Sequence, residues 1–165
     1  MMKVLKPKYV KDSQVTMIEL VLPNDTNILN NLLGGRLMHW MDIASAMAAA
    51  KHCNNIAVTA AVDDISFHVP IKLGNIVTLK ASVNRAFNTS MEVGVKVEAE
   101  DFETGEVKHA NSAYFTFVSV DRISGKKMQV PPVIPETDEE KRRYDHALER
   151  RNQRIAKQHG IVKNL

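Results

Sequence analysis

The sequence predicts an α+β protein in which a curved antiparallel sheet wraps a long buried helix, with a second helix at the C-terminal end. Residues 36–52 combine strong helix formers with apolar side chains nearly all round, which is typical of a helix buried on most sides. The strand-like segments that follow are joined by short connections, which favour antiparallel pairing. A sheet that covers such a helix has to curl around it, and one sheet leaves part of the helix bare. We therefore expect a second copy of the chain to cover the rest.

The elements are predicted in order from periodicity and turn residues. A strand over residues 9–22 ends at Pro23, Asn24 and Asp25, which are turn residues. A polar, asparagine-rich loop leads to the helix over residues 36–52. Strand-length apolar runs, two of them with clean alternation, then cover residues 58–69, 77–87, 91–102 and 107–120. Their short links predict a meander of these four strands, followed by a proline-rich linker and a charged helix over residues 138–157.

Length and composition limit the classes of function. The chain has 165 residues, 44% hydrophobic and 25% charged, the proportions of one soluble globular domain. It has neither an apolar run long enough to span a membrane nor the apolar core of a signal peptide, so we expect a cytoplasmic protein with no membrane partner. The single cysteine, Cys53, can form neither an internal disulfide nor a cysteine zinc site. No metal site is expected.

The surplus of positive charge lies at the end of the chain. Residues 137–165 contain eight Lys or Arg and five Asp or Glu, whereas residues 1–136 contain 14 of each, from totals of 22 and 19. We therefore divide the chain into a neutral body, 1–136, and a charged C-terminal helix and tail, 137–165. Acidic and basic residues alternate in the tail, as on a solvated helix surface, so no nucleic-acid partner is predicted.

Asp42 is the most unusual residue, because it lies in the middle of the most apolar helix. A buried carboxylate without a partner costs several kcal/mol. Asp42 is therefore either paired, with Arg36 or His39, or a general base facing a cleft, where burial tunes the carboxylate for proton transfer.

Gly34, Gly35 and Asn27 precede this helix and are candidate substrate contacts. Two glycines let the backbone approach a ligand, and the first N–H groups of a helix can stabilise an oxyanion. The alternative is a tight turn into the helix. Asn27 could form an Asx turn, or its amide could hold a water molecule or polarise a carbonyl.

Several short motifs occur in a fixed order over residues 8–154: Pro23-Asn24-Asp25-Thr26-Asn27, Gly34-Gly35, Met41-Asp42, Val58-Thr59-Ala60, Asp64, Phe67, Pro70-Ile71, Thr89-Ser90 and Phe115-Thr116-Phe117. The ordered set resembles the acyl-CoA thioesterases of the hotdog fold, most nearly the bacterial acyl-CoA hydrolases related to the mammalian cytosolic and brain enzyme. Many members of that family carry Gly-Arg-Thr-Ser where this chain has Phe87-Asn88-Thr89-Ser90. The resemblance implies that the arginine of this motif contacts the CoA phosphates, and this chain has Asn88 in its place.

The resemblance implies that Asn27 and Asp42 are the catalytic pair, supplied by opposite protomers of a homodimer that assembles into a hexamer. With Asp42 as general base or as a nucleophile that forms an anhydride, Gly35 N–H would stabilise the oxyanion. Substrate would also contact Gly34, Thr59, Thr89 and Ser90, with the acyl chain along the helix and the CoA moiety near Thr89 and Ser90.

The predicted function is hydrolysis of acyl-CoA to free acid and coenzyme A, with coenzyme A entering as part of the substrate and no separate cofactor. Two alternatives remain open at this point. One is a hotdog dehydratase acting on hydroxyacyl thioesters, for which His39 and His68 are the candidate catalytic histidines. The other is a non-enzymatic acyl-CoA-binding regulator that uses the same pocket.

Overall fold

Two α-helices and seven β-strands form the framework of the computed structural model, which describes residues 5–63, 65–67 and 69–162. In chain order they are β1 (Lys8–Tyr9), β2 (Val15–Leu20), α1 (Gly34–Cys53), β3 (Ile56–Val62), β4 (Ile76–Ala86), β5 (Ser90–Glu100), β6 (Val107–Val120), β7 (Val133–Ile134) and α2 (Asp138–Val162). This is the predicted α+β architecture, a long helix on a curled antiparallel sheet with a second helix at the end.

The main sheet has five antiparallel strands in the order β2-β4-β5-β6-β3, and β1 pairs in parallel with β7 in a separate two-stranded sheet. The predicted meander is correct for β4, β5 and β6 and wrong for β3, which pairs with β6 at the far edge. The physical reason is that β3 ends at Val62, seven residues earlier than predicted, so thirteen residues separate it from β4. A connection of that length can cross the sheet, whereas a hairpin link cannot.

Two other predicted boundaries are wrong. A turn of 3-10 helix at Val10–Ser13 interrupts the strand predicted over residues 9–22. This turn is stabilised locally, because the Asp12 carboxylate accepts a hydrogen bond from Tyr9 N–H and Ser13 Oγ donates to the Val10 carbonyl. At the other boundary, Gly34 and Gly35 are the first two residues of α1 and do not precede it.

The core lies between α1 and the concave face of the sheet, and α1 contacts all five strands. Met41, Ala44 and Ala48 of α1 are fully buried, as are Phe117 of β6 and Val93 of β5. The opposite side of α1 is open: the apolar side chains along it are about 40% exposed, namely Met38, Ile43 and Met47. One sheet therefore leaves part of the helix uncovered, as the apolar pattern predicted.

Helix α2 packs against the convex face of the sheet through partly buried ion pairs. The Glu92 side chain of β5 has no exposed surface, and Arg150 of α2 donates to both of its carboxylate oxygens, at 3.1 and 2.7 Å. Arg154 donates to both oxygens of Asp63, at 2.7 and 2.9 Å. The prediction of a solvated charged face is therefore wrong for Arg150, which holds the helix on the sheet.

Candidate active site

The Asp42 carboxylate lies on the open side of α1, where it is half-buried. Thr59 of β3 donates a hydrogen bond from Oγ1 to Asp42 Oδ1 at 2.7 Å. The predicted alternative of a pair with Arg36 is wrong, because Arg36 Nε binds Asp25 Oδ1 at 2.9 Å. Among the described residues no cation pairs with Asp42, so one carboxylate oxygen is held by Thr59 and the other can accept a proton.

The N-terminal end of α1 and Asp42 share one helix face. Gly35 and Asp42 are seven residues apart, which is two turns and about 10 Å along the axis. Helical side chains lean towards the N-terminus, so the carboxylate is directed back along this face towards Gly35. The free N–H groups and the carboxylate thus border the same open surface.

The backbone conformation at positions 34 and 35 does not require glycine. Neither has a positive φ, and the residue before them, Leu33, makes no side-chain cap. A Cβ built on Gly35 would meet nothing within 4 Å, so crowding inside the chain does not require glycine there either. The predicted alternative of a tight turn is therefore wrong, and the open space leaves the first amides of α1 accessible to a ligand.

Asn27 forms an Asx-type turn, which is one of the two roles that the sequence predicted for it. Its Oδ1 accepts hydrogen bonds from Leu29 N–H at 2.9 Å and Asn31 N–H at 3.2 Å. In the described part of the chain no acceptor binds its Nδ2, and no hydrogen bond joins it to Asp42. Asn27 is exposed, as are its neighbours Ile28 at 99% and Leu29 at 72%. Within one chain, therefore, no hydrogen bond among the described residues links the two predicted catalytic residues.

The loop that carries Asn27 is held rigidly against α1 by the buried residue Asp25. One carboxylate oxygen of Asp25 accepts from Leu22 N–H at 3.0 Å and the other binds Arg36 at 2.9 Å. The Asp25 carbonyl also accepts from Leu33 N–H at 2.9 Å. These bonds fix the loop relative to the start of the helix and leave its tip projecting from the molecule.

An apolar cavity of about 330 Å³ lies behind the N-terminal end of α1. Its lining joins the loop, the helix and the segment before β4, and it consists of Asn31, Leu32, Gly34, Leu37, Phe67, Val69, Pro70 and Ile71. The Phe67 ring lies 3.7 Å from where a Cβ on Gly34 would be. A larger polar groove of about 560 Å³ lies beside α2 on the convex face and contains none of the predicted site residues.

Thr89 and Ser90 lie at the turn between β4 and β5, which is anchored on both sides. The Thr89 carbonyl accepts from Ser119 N–H at 3.0 Å, and the Asn88 carbonyl accepts from Val130 N–H at 2.9 Å. Arg151 of α2 donates from Nη1 to Ser90 Oγ at 3.2 Å. This contact joins residues 61 positions apart, and no sequence pattern pointed to it.

Two other titratable side chains, His52 and Asp63, have structural partners. His52 is fully buried and binds the Pro131 carbonyl at 2.7 Å through Nε2, and its burial lowers the pKa of the imidazole. Asp63 is paired with Arg154, while Asp64 and His68 lie outside the described residues. In the described ranges no group of three His, Cys, Asp or Glu side chains could hold a metal ion.

Comparison with known proteins assigns the family. Residues 29–106 match the model of the thioesterase superfamily. The solved acyl-CoA hydrolase from Staphylococcus aureus, in complex with butyryl coenzyme A, coenzyme A and coenzyme A disulfide, superposes with a TM-score of 0.86. It is 37% identical, and the match covers 96% of this chain and 98% of that one. This chain belongs to the thioesterase superfamily.

The predicted hotdog thioesterase is thus confirmed, in fold and in family. This thioesterase also superposes on an apo-hexameric acyl-CoA thioesterase, with a TM-score of 0.89 and 37% identity over 93% of this chain and 97% of that one. The mouse cytosolic acyl coenzyme A thioester hydrolase is 38% identical over 94% of this chain, which spans 41% of the mouse protein. No helix in the described part of this thioesterase is long and apolar enough to cross a membrane.

Three solved variants of the S. aureus hydrolase replace an asparagine, an aspartate and a threonine with alanine. In chain order these residues are separated by 15 and then 17 positions. Asn27, Asp42 and Thr59 of this thioesterase have the same order and the same separations.

Proposed function

We propose that this thioesterase hydrolyses acyl-CoA thioesters, with Asp42 as the general base and Asn27 and Gly35 as substrate contacts. The observation that carries the proposal is the Asp42 carboxylate, which is oriented by Thr59, free of any cation in the described structure, and half-buried on the same helix face as the first amides of α1. The names of the relatives and the matching asparagine, aspartate and threonine separations in the S. aureus hydrolase support it.

The chemistry requires a general base and a hydrogen-bond donor that stabilises the oxyanion. It requires little more, because a thioester carbonyl is already electrophilic. A water oxygen attacks the carbonyl carbon while Asp42 takes its proton. The N–H of Gly35, at the positive end of the helix dipole, stabilises the oxyanion. The C–S bond then breaks, and the proton passes to the sulfur of coenzyme A.

The complete site requires two chains. No hydrogen bond joins Asn27 to Asp42 in the described part of one chain, and Ile28 and Leu29 leave bare apolar surface beside Asn27. The open side of α1 and the edge strand β3 also expose apolar side chains. A second copy that covers these surfaces places the Asn27 loop of one protomer over Asp42 of the other, and such dimers assemble into a hexamer, as the hexameric relative suggests.

The substrate occupies both ends of this site. The acyl chain enters the apolar cavity behind Gly34, where Leu37 and Ile71 replace its contacts with water by apolar ones. The CoA moiety leaves past Thr59 towards Thr89 and Ser90. We also place the protein in the cytoplasm, in keeping with the cytosolic mouse relative.

Release of free thiol from a panel of acyl-CoA and hydroxyacyl-CoA thioesters tests the activity. Asp42→Asn is expected to lower kcat by about 10² to 10⁴, because the amide has the same shape but takes no proton. Asp145→Asn, a change to an exposed carboxylate on α2, is the matched control and should retain full activity. Near wild-type kcat in Asp42→Asn, or dehydration of a hydroxyacyl thioester without thiol release, would contradict the proposal.

Mixing two inactive variants tests the shared site. Asn27→Ala and Asp42→Ala protomers together should recover part of the activity, since one of the two sites in a mixed dimer keeps both residues. Exchange of subunits is followed with differently labelled chains. Proven exchange without recovered activity refutes a site built from two chains.

A further inference from the structure

We propose that the polar groove on the convex face of the sheet binds a small phosphate monoester that carries hydroxyl groups, such as a sugar phosphate. The groove has a volume of about 560 Å³ and lies between the sheet and the first turns of α2. This volume is usual for a small-molecule site. Helix α1, which carries Asp42, packs on the other, concave face, so the groove is separate from the proposed active site.

Two lysines that line the groove lie directly opposite each other on neighbouring strands. Lys80 of β4 pairs with Lys96 of β5 in the antiparallel register, and both side chains are about half exposed. Like charges in this arrangement destabilise a sheet. Glu98 accepts hydrogen bonds from both ammonium groups, at 2.7 and 2.6 Å, and these bonds lower the pKa of its carboxyl to about 2. One carboxylate neutralises one of the two lysines, so one positive charge is left over.

Two arginines of α2 repeat this arrangement on the helical side of the groove. Arg142 donates two hydrogen bonds to the Glu139 carboxylate, at 2.9 and 2.6 Å, and Arg143 donates one at 3.0 Å. The hydrogen bonds from Arg142, more than any other contact, lower the pKa of Glu139 to about 2. Among the described residues of this groove, four cations are thus paired with two carboxylates, a surplus of two positive charges. A phosphate monoester carries nearly two negative charges at neutral pH and matches this surplus.

The floor of the groove offers neutral hydrogen-bonding groups on side chains that are at least nine-tenths buried. Ser82 and Asn84 of β4 are only 9% and 3% exposed, and both line the groove. Asn84 donates from Nδ2 to Glu92, whereas no group among the described residues binds Asn84 Oδ1 or the Ser82 hydroxyl. A Cβ at Gly94 would lie 2.8 Å from Asn84 Nδ2, so the carboxamide keeps this position because residue 94 has no side chain. The floor therefore presents a fixed acceptor and a hydroxyl group to a ligand.

The strand register places the cations next to hydroxyl groups. Thr16 of β2 lies opposite Lys80, and Ser112 of β6 lies opposite Lys96. Ser82 is two residues further along β4, a distance of about 7 Å. A ligand that spans these positions needs an anionic group for the cations and hydroxyl groups for the floor. An apolar ligand would leave these polar groups without partners, which is unfavourable.

Calorimetric titration of the full-length protein with glucose 6-phosphate, inorganic phosphate, glucose and succinate tests the site. Glucose 6-phosphate is expected to bind about tenfold or more tightly than either inorganic phosphate or glucose, because it contacts the cations and the floor together. Succinate is a dianion without a hydroxyl group, so it should bind no more tightly than inorganic phosphate. Thiol release plays no part in these titrations, so failure of this site and failure of the proposed activity are distinguished.

Variants of the lining separate its two parts. Lys96→Gln removes one cation and is expected to weaken the binding of both glucose 6-phosphate and inorganic phosphate about tenfold, and Lys80→Gln should do the same. Ser82→Ala should weaken the binding of glucose 6-phosphate and leave that of inorganic phosphate unchanged. Lys108→Gln is the matched control, because Lys108 is an exposed lysine of the same sheet that pairs with Glu106 outside the groove.

Circular dichroism of each variant verifies that the fold is kept. Succinate bound as tightly as glucose 6-phosphate would overturn the proposal, since charge alone would then account for binding. Equal losses in the two groove lysine variants and in the control would overturn it in the same way. The absence of any binding of glucose 6-phosphate to the wild-type protein would also overturn it.

Discussion

Replacement of Arg150 by alanine should cost more stability than any other single change to an arginine of α2. The guanidinium makes two hydrogen bonds to Glu92, whose side chain has no exposed surface, and stacks 3.6 Å from the centre of the Tyr114 ring. Without it, the one side-chain hydrogen bond that Glu92 keeps among the described residues is that from Asn84 Nδ2, at 3.1 Å. The variant therefore leaves a buried carboxylate with no opposite charge.

The expected magnitude follows from this burial. Breaking a buried pair by removing one partner costs about 3–5 kcal/mol, because the remaining charge stays away from water. In a domain of this length each kcal/mol lowers Tm by about 2–4 °C, so the loss corresponds to about 6–20 °C. Removing both charges with Glu92→Gln and Arg150→Met should recover much of the loss, because no uncompensated charge remains.

Urea and thermal unfolding followed by circular dichroism, at one fixed protein concentration, measure these differences. Arg142→Ala is the matched control: its pair with Glu139 is exposed, and its loss should stay below about 1 kcal/mol. A loss below about 1 kcal/mol in Arg150→Ala, or no recovery in the double variant, would refute the reasoning.

Three further results are expected. The pKa of His52 is lowered by burial from 6.5, so the unfolded chain binds more protons; stability should fall as pH drops through about 6.5, and His52→Gln should flatten that slope in pH-dependent unfolding. Thr59→Val removes the 2.7 Å hydrogen bond to Asp42 and should lower kcat about tenfold or more, whereas Thr59→Ser should retain most of it. Phe67→Ala enlarges the cavity behind Gly34 and should shift the chain-length profile of kcat/KM towards longer acyl groups; an unchanged profile would place the acyl chain elsewhere.

Local patterns in the sequence determined the elements and the family. The apolar surface of residues 36–52 predicted a helix that one sheet cannot cover, and alternation in β4 and β5 predicted their paired faces, because these patterns depend only on neighbours along the chain. The ordered set of motifs over residues 8–154, which includes Asn27, Gly34, Gly35 and Asp42, carried the resemblance to hotdog thioesterases. It did not establish what these residues do, and their catalytic roles remain a prediction.

The tertiary structure decided which distant residues meet. Strand β3 pairs with β6 because a thirteen-residue connection lets it cross the sheet, and no local pattern distinguishes that pairing from a hairpin with β4. The partner of Asp42 is Thr59 and not Arg36, because the buried Asp25 binds that arginine.

In the charged C-terminal helix, too, the sequence pattern did not determine which distant residues meet. Its alternating charges predicted a solvated helix, yet Arg150 and Arg154 bind carboxylates on the sheet and Arg151 reaches the β4–β5 turn. Charge order along a helix determines which side chains are neighbours on its surface, whereas burial and pairing depend on the surface against which the helix packs. Only the folded chain brings Glu92, Asp63 and Ser90 to that surface.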